Sequence, residues 1–435
     1  MKRFSAFLIT FLLIVALMIS SLSVSAADFG CNVDTVSTSV YLENLDTGTV
    51  VFEKNADEKL PPASLTKMMT YIVVCENVPD LENTKVEITE EALSGLDPES
   101  SVMGLTGYIG EEFSVLDLLY GLIIPSGNDA ALVLADFVGN GSVQNYVDMM
   151  NSKSGQLGCK NTHFVNPHGL YDENHYSTAR DLATIAKYAA EKPFFKEIEK
   201  EYIYTVDGME FPLETTNYMI DPAYSDYYYP YVEGGKTGYT DEAGKCLATA
   251  AKKDDYRYMC IALGAPYSFS EDVNYAMLDT KEMYEWAFNN IAFVKLVSAQ
   301  TVIKKIPVEF KWGNVYSNAV TESDIEALLP VEYDESLVKT EYELPESVRA
   351  TVEKGEVLGK ASVYYNDEFV GSTNIVANET IERDKSNYLM HRFIGFVVNN
   401  IFWIVVVMCV IVVAFALLIS SHRNKKRRQS RRRYR

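Results

Sequence analysis

The sequence lacks the cysteine and histidine patterns from which disulfide frameworks and metal sites are built. It has six cysteines and five histidines in 435 residues. No two cysteines form a CxxC pair, and an odd number lies outside the apolar C-terminal segment. This argues against a disulfide framework, although a single Cys246–Cys260 disulfide is an alternative that the sequence does not exclude. His163, His168 and His175 match no helical spacing of metal ligands, and no HExxH motif occurs. We therefore predict no metal and no other cofactor.

Positive charge is scarce outside one short stretch of the chain. The formal net charge is −21, yet residues 422–435 contain nine Lys and Arg residues and no acidic residue. The remainder is therefore strongly acidic, and its repulsion from phosphate argues against a nucleic-acid partner. A basic tail directly after an apolar segment is typical of an anchor at an anionic membrane surface.

Both ends of the chain carry apolar segments. Residues 1–26 combine a charged start, an apolar stretch and small residues at the end, as in a secretory signal peptide; the alternative is an uncleaved anchor helix. Residues 401–420 are uncharged, and as a helix they would span about 30 Å, the thickness of a bilayer core. We therefore predict a single transmembrane helix at 401–420, and cationic flanks of such helices stay in the cytoplasm. The basic tail at 421–435 is then cytoplasmic, and the main body lies outside the membrane.

Between these ends, hydrophobic periodicity first indicates an α+β domain at 30–292. Alternating residues predict a β-hairpin over 39–52, and the strand-like runs 246–251 and 257–263 predict a second hairpin. Helical spacing occurs at 64–77, 114–123, 129–138, 143–156, 178–191 and 277–288. A hairpin, a helical block, further strands and a last helix together predict an antiparallel sheet packed against helices.

The pattern changes after about residue 293. Alternating apolar residues and a hairpin signal at 362–370 predict a small all-β domain at 294–380. A polar linker at 381–400 is then expected to lead to the membrane helix.

Two short motifs contain the residue types of a serine nucleophile and its proton-transfer partners. A serine hydroxyl attacks a carbonyl only when a base accepts its proton. Lys67 follows Ser64 by three positions on a predicted helix, so both side chains share one face. Ser126 and Asn128 follow a helix-breaking proline, where Ser126 can relay a proton and Asn128 can hold Lys67. The first motif alone is weak because serine and lysine are common residues. For the second motif alone, a helix cap at Ser126 or Asn128 is the simpler interpretation.

A third motif, Lys236-Thr237-Gly238, precedes the second predicted hairpin. In a strand that lines a cleft, Gly238 allows close approach of substrate backbone, and Lys236 and Thr237 can bind a carboxylate. Backbone N–H groups of Ser64 and Tyr239 would stabilise an oxyanion. A surface turn is the simpler interpretation of this motif by itself. Three such motifs in this order favour acyl transfer through a serine ester.

These segments resemble those of penicillin-binding proteins and serine β-lactamases, and most of all the low-molecular-mass D-alanyl-D-alanine carboxypeptidases. The resemblance covers about residues 36–290. It rests on segments 62–70 (PASLTKMMT), 125–130 (PSGNDA), 166–170 (NPHGL), 177–182 (STARDL) and 235–240 (GKTGYT).

The resemblance implies a bacterial, membrane-anchored serine carboxypeptidase that needs no cofactor. Ser64 would attack the bond between the last two D-alanines of a peptidoglycan stem peptide, with Lys67, Ser126 and Asn128 as catalytic residues. Lys236, Thr237, Gly238 and Tyr239 would bind the substrate. β-Lactam antibiotics would acylate Ser64, and the C-terminal helix would contact membrane lipid. Alternatives are a D,D-endopeptidase, a β-lactamase, or a non-enzymatic protein that senses penicillin or binds the wall.

Overall fold

The computed structural model describes residues 29–267, 270 and 272–432. The predicted signal peptide at 1–26 lies outside the described residues, as does the end of the basic tail. The chain divides into two compact units. One comprises the residues up to Ala292 together with Leu328–Tyr333, and the other comprises Phe293–Ala327 with the residues from Asp334 onward.

The first unit is built on a five-stranded antiparallel sheet with the order β2-β1-β9-β8-β7. The strands of this unit are β1 (Ser39–Asn44), β2 (Val50–Lys54), β3 (Lys85–Glu87), β4 (Glu112–Ser114), β5 (Ile203–Tyr204), β6 (Leu213–Glu214), β7 (Val232–Thr240), β8 (Gly244–Lys253) and β9 (Tyr256–Ala265). Strands β1 and β2 form the first predicted hairpin, and β8 and β9 form the second. Strand β7 lies at an edge of the sheet, so one side of its backbone faces away from the other strands.

The helices of the first unit pack against one another, and two of them, Ala179–Ala189 and Tyr275–Asn290, pack against this sheet. The helices are α1 (Lys67–Asn77), α2 (Val115–Ile123), α3 (Asn128–Val138), α4 (Val143–Gln156), α5 (Ala179–Ala189), α6 (Phe195–Ile198) and α7 (Tyr275–Asn290), with 3-10 helices at Ala63–Thr66 and Leu105–Tyr108. Helix α1 is central because its residues 67–74 are all buried. Ser114 caps α2: its hydroxyl accepts from the Asp117 N–H, and the Asp117 carboxylate accepts from the Ser114 N–H. The α+β architecture predicted from the sequence is confirmed.

The second unit is mainly β, as predicted. Two strands, β10 (Ile291–Val297) and β13 (Ile325–Pro330), have residues in both units. The other elements of the second unit are β11 (Val302–Glu309), β12 (Tyr316–Thr321), β14 (Val338–Glu343), β15 (Val348–Arg349), β16 (Val357–Tyr365), β17 (Glu368–Ala377), α8 (Lys385–Asn399) and α9 (Ile401–Arg432), with a 3-10 turn at Glu335–Leu337. A six-stranded sheet has the order β14-β16-β17-β12-β11-β15. The predicted hairpin joins β16 to β17 through Asn366 and Asp367, both with positive φ.

The region predicted as a polar linker, 381–400, contains helix α8. The Asp384 side chain accepts from the N–H groups of Ser386 and Asn387, which caps the helix. Leu389, Phe393 and other apolar residues of this helix are exposed. Among the described residues, one helical segment, Ile401–Arg423, is long and apolar enough to cross a membrane, and none of it is buried inside the protein. It contains the predicted transmembrane segment 401–420.

Candidate active site

Ser64 and Lys67 meet at the start of helix α1. Ser64 lies in the 3-10 helix Ala63–Thr66, and Lys67 begins the α-helix that follows. The Lys67 ammonium donates to Ser64 Oγ at 2.9 Å, to Asn128 Oδ1 at 2.6 Å and to the His168 carbonyl at 2.8 Å. Lys67 has no solvent-exposed surface. These three hydrogen bonds therefore hold the Lys67 nitrogen within hydrogen-bonding distance of the Ser64 hydroxyl, as proton transfer between them requires.

The buried position of Lys67 changes its acidity. Burial, and secondly the charge of Lys236, hold the pKa of Lys67 well below its usual value, while Asp129 opposes this shift. A lysine with a lowered pKa is neutral in a larger share of molecules at neutral pH. The neutral amine can accept the Ser64 proton across the same 2.9 Å contact.

Ser126 lies between helices α2 and α3, three residues after α2 ends at Ile123. Pro125 interrupts the helix, and Ser126 adopts a φ of 62°, in the left-handed region that is rare for non-glycine residues. This turn brings the buried Ser126 hydroxyl to the Lys236 ammonium, which donates to it at 2.8 Å. Lys236 also donates to the Thr237 carbonyl at 2.8 Å, and burial lowers the pKa of Lys236 to about 7.

Strand β7 passes very close to the nucleophile. A Cβ added at Gly238 would lie 3.0 Å from Ala63 Cβ and 3.1 Å from the Ser64 backbone nitrogen. The missing side chain of Gly238 therefore permits this approach of β7 to Ala63 and Ser64, whereas the predicted approach of substrate backbone at Gly238 stays a prediction. Thr237 is half-buried, and its hydroxyl forms a short hydrogen bond with the Thr216 hydroxyl.

These side chains surround one cleft of about 380 Å³. The residues of the three motifs that line it are Ser64, Ser126, Asn128, Thr237, Gly238 and Tyr239. Lys67 and Lys236 are buried beneath the cleft and reach it through their bonds to the two serines. The structure thus brings all eight predicted site residues together, although some 170 positions separate the first and the last motif in the chain.

The sequence patterns assigned no role in the site to several of its neighbours. The NPHGL segment supplies the His168 carbonyl to Lys67 and the close approach of Gly169, which has a φ of 94°. The Asn166-Pro167 dipeptide, with a glycine two residues after the proline, was a usable signal for that turn. Thr216 and Lys245, which also line the cleft, had no signal because neither lies in a recognisable motif.

The cysteines and histidines of the described residues form neither a disulfide bond nor a metal site. All six cysteines are free, which excludes the Cys246–Cys260 bridge. Thr249 lies opposite Cys260 in the β8–β9 pair, so the two sulfurs do not face each other. The His175 ring forms a 2.7 Å hydrogen bond with the Thr66 hydroxyl, and burial lowers the pKa of His175 to about 4. In the part of the chain that the structure describes, no group of three or more His, Cys, Asp or Glu side chains could hold a metal ion.

Comparison with known protein families gives two matches along the chain. Residues 26–267 match the family model described as D-alanyl-D-alanine carboxypeptidase. Residues 293–383 match the model described as penicillin-binding protein 5, C-terminal domain. The first match covers more than half of the chain and contains all three motifs.

Individual relatives agree with the family matches. The chain is 32% identical over 351 residues to D-alanyl-D-alanine carboxypeptidase DacF from Bacillus subtilis, covering 79% of this chain and 86% of the relative. It is also 32% identical over 376 residues to DacA from Haemophilus influenzae, covering 82% and 89%.

Solved structures give the same result. Penicillin-binding protein 5 from Haemophilus influenzae superposes with a TM-score of 0.60 at 29% identity, covering 81% of this chain and 99% of that one. Penicillin-binding protein D2 from Listeria monocytogenes, solved in a cefotaxime-bound form, has a TM-score of 0.51 at 28% identity, covering 59% and 99%.

Proposed function

The chain belongs to the D-alanyl-D-alanine carboxypeptidase family and is a serine carboxypeptidase and penicillin-binding protein, and we propose that Ser64 is the nucleophile that becomes acylated by the substrate. The substrate in this proposal is a peptidoglycan stem peptide ending in D-Ala-D-Ala. The observation that carries the assignment is the pair of hydrogen bonds that joins Lys67 to Ser64 and Lys236 to Ser126 in one cleft.

In the acylation step, neutral Lys67 accepts the Ser64 proton while Ser64 Oγ bonds to the carbonyl carbon of the scissile amide. The carbonyl oxygen becomes an oxyanion, and the backbone N–H groups of Ser64 and Tyr239 stabilise it. The proton passes from Lys67 through Ser126 to the amide nitrogen, the C–N bond breaks, and D-alanine leaves. The contact of Ser126 with the Lys236 ammonium supports this route because it keeps the hydroxyl oriented in the cleft.

In the second step, water replaces D-alanine. Lys67, neutral again, accepts a proton from the water, whose oxygen attacks the ester carbonyl. The proton returns to Ser64 Oγ as the ester bond breaks, so the enzyme ends in its starting state. A β-lactam follows the first step only, because its leaving group stays attached to the acyl chain and blocks the approach of water.

The terminal carboxylate of the substrate is assigned to Lys236 and Thr237 in the middle of strand β7. Thr237 lies at the cleft with its hydroxyl held by Thr216, and Lys236 contributes positive charge just beneath. This placement supports release of a C-terminal residue, because it requires a free carboxylate next to the scissile bond.

The proposal places the catalytic unit outside the cell membrane. Helix α9 begins with a segment that is long and apolar enough to cross a membrane, and the nine cations of residues 422–435 follow the uncharged residues 401–420. Cationic flanks stay on the cytoplasmic side, so the cleft faces the peptidoglycan. Domain boundaries of 30–292 for the peptidase and 294–380 for the β-rich part are retained as part of this proposal.

The decisive experiment is intact-protein mass spectrometry after incubation with penicillin, combined with D-alanine release from diacetyl-Lys-D-Ala-D-Ala. Ser64→Ala should lose both the covalent adduct and the release of D-alanine. Ser101→Ala is a matched control because it removes a hydroxyl from the same cleft and should keep both. An adduct on Ser64→Ala would overturn the assignment. Labelling of the wild-type protein without D-alanine release would favour a penicillin sensor, and release from cross-linked peptides alone would favour an endopeptidase.

A further inference from the structure

Lys245 is a cation in the cleft that the proposed mechanism does not use. It lies on strand β8 directly opposite Tyr239 of β7, and it lines the same cleft as Ser64. Its ammonium nitrogen lies 4.2 Å from the centre of the Tyr239 ring and 4.0 Å from that of Tyr267. Two aromatic faces therefore hold a half-buried lysine at the rim of the site.

The Lys245 ammonium forms no hydrogen bond or ion pair with an oxygen acceptor among the described residues, although the charge of Asp272 acts on it from further away. Lys67 and Lys236, by contrast, donate to three and two oxygen acceptors respectively. Aromatic faces orient an ammonium without using its three N–H donors. Partial burial lowers the pKa of Lys245, and Asp272 opposes this shift. Its N–H groups thus remain available to a ligand that carries a carboxylate.

The direction of the substrate along strand β7 determines which carboxylate reaches Lys245. The free edge of β7 can pair with an extended peptide. Under the proposed function, the terminal carboxylate binds at Thr237 and the scissile carbonyl lies beside Gly238. The acyl-donor part of the peptide must then run the other way, past Tyr239 and Thr240. Each residue advances about 3.3 Å, so the residue that precedes the acylated D-alanine lies beside Tyr239.

The residue that precedes the acylated D-alanine is the third residue of the stem peptide. From these placements we propose that Lys245 binds a carboxylate at the end of the side chain of this third residue. The enzyme then favours stem peptides whose third residue ends in a carboxylate next to its amine, such as diaminopimelate, over those with lysine. This inference rests on the proposed function and names its substrate class. Lys245 is a specificity-determining residue here, since it contacts the substrate away from the reacting atoms.

The acidic side chains at the same rim do not make this distinction. Asp97, Glu99 and Asp241 also line the cleft, and they attract the side-chain ammonium group that lysine and diaminopimelate both carry. The carboxylate is the group that differs between the two side chains, and Lys245 is the rim residue with the complementary charge.

The test measures kcat/KM for D-alanine release by the full-length enzyme from two pentapeptides that differ only in diaminopimelate or lysine at position three. The wild type should prefer the diaminopimelate peptide. Lys245→Ala should lower kcat/KM for that peptide by about 10- to 100-fold, the usual worth of a hydrogen bond to a charged group, and leave the lysine peptide within about threefold. Lys245→Arg should keep most of the preference, because it retains the charge.

Lys253→Ala is a matched control. It removes the same charge from the same strand, and Lys253 also lies over aromatic rings, those of Tyr231 and Phe288, away from the cleft. It should leave both peptides unchanged. An equal loss on both peptides with Lys245→Ala, or no loss on either, would overturn the inference. Failure of the proposed function would look different, because Ser64→Ala would then release D-alanine as fast as the wild type, and both proposals would fall together.

Discussion

Replacing Gly169 with alanine should disable the nucleophile without replacing any residue that takes part in the chemistry. Gly169 is buried beneath the cleft with a φ of 94°. A Cβ at this position would lie 1.9 Å from the Ala63 carbonyl oxygen and 3.0 Å from the Ser64 nitrogen. Both are backbone atoms, so no side-chain rotation can relieve the overlap.

The size of the effect follows from these distances. To reach an ordinary separation of 3.4 Å from the Ala63 oxygen, the two segments must move apart by about 1.5 Å. Displacing reacting groups by about 1 Å is enough to cost roughly 100-fold in rate, so acylation should slow by about 100-fold or more. Overpacking adds a loss of about 1–3 kcal/mol in the free energy of unfolding, and alanine in the left-handed region adds about 1–2 kcal/mol.

The assay is the rate of covalent penicillin labelling, together with D-alanine release and the urea midpoint of unfolding. Gly158→Ala is the matched control, because Gly158 has a φ of 80° but no atom within 4 Å of its added Cβ. It should show the backbone strain in its unfolding midpoint and keep the wild-type labelling rate. If Gly169→Ala folds and labels as fast as the wild type, the close approach of this loop to Ser64 does not hold the nucleophile in place.

Three further outcomes are expected. Lys67→Ala should slow penicillin acylation by about 10²- to 10⁴-fold, and wild-type acylation should fall towards acid pH as Lys67 becomes protonated; a near-normal rate in the mutant would reject Lys67 as the base. Burial behind β7 raises the pKa of Glu199 to about 8, so the folded state binds more protons than the unfolded state between about pH 4.5 and 8. Thermal melts should therefore show the wild type losing stability relative to Glu199→Gln as pH rises through this range, and parallel melting curves would contradict the shift. Truncation after Asp384 removes α8 and α9 and should release a soluble enzyme with wild-type kcat/KM, whereas a truncated chain that still sediments with membranes would contradict anchoring by α9.

Sequence reasoning was most successful where local chemistry decides the structure. The capping pair Ser114 and Asp117 starts a helix by contacts three residues apart. The Asn366-Asp367 turn is equally local, since both residues tolerate positive φ. Helix α8 was missed because polar residues at its start favoured a linker, although Asp384 at its cap and the apolar residues that follow were a helical signal.

The sequence predicted which residues form the site, but not the contacts that support those residues. Ser64, Lys67 and Lys236 stand in motifs whose order suggests one pocket. The Thr216–Thr237 hydrogen bond, the overlap that Gly169 avoids and the aromatic setting of Lys245 depend on how loops cross the edge of the sheet. Such contacts arise between segments far apart in the chain, and no periodicity or spacing in a single sequence encodes them.

The unpaired edge of strand β7 also has a consequence for how the protein avoids self-association. An open strand edge is a template on which any extended chain can dock, and proteins usually protect such edges with charge, proline or a bulge. An enzyme that takes its peptide as an added strand has to leave this edge accessible. Discouraging unwanted docking then falls to the acidic rim, where Asp97, Glu99 and Asp241 repel other copies of a chain whose net charge is −21.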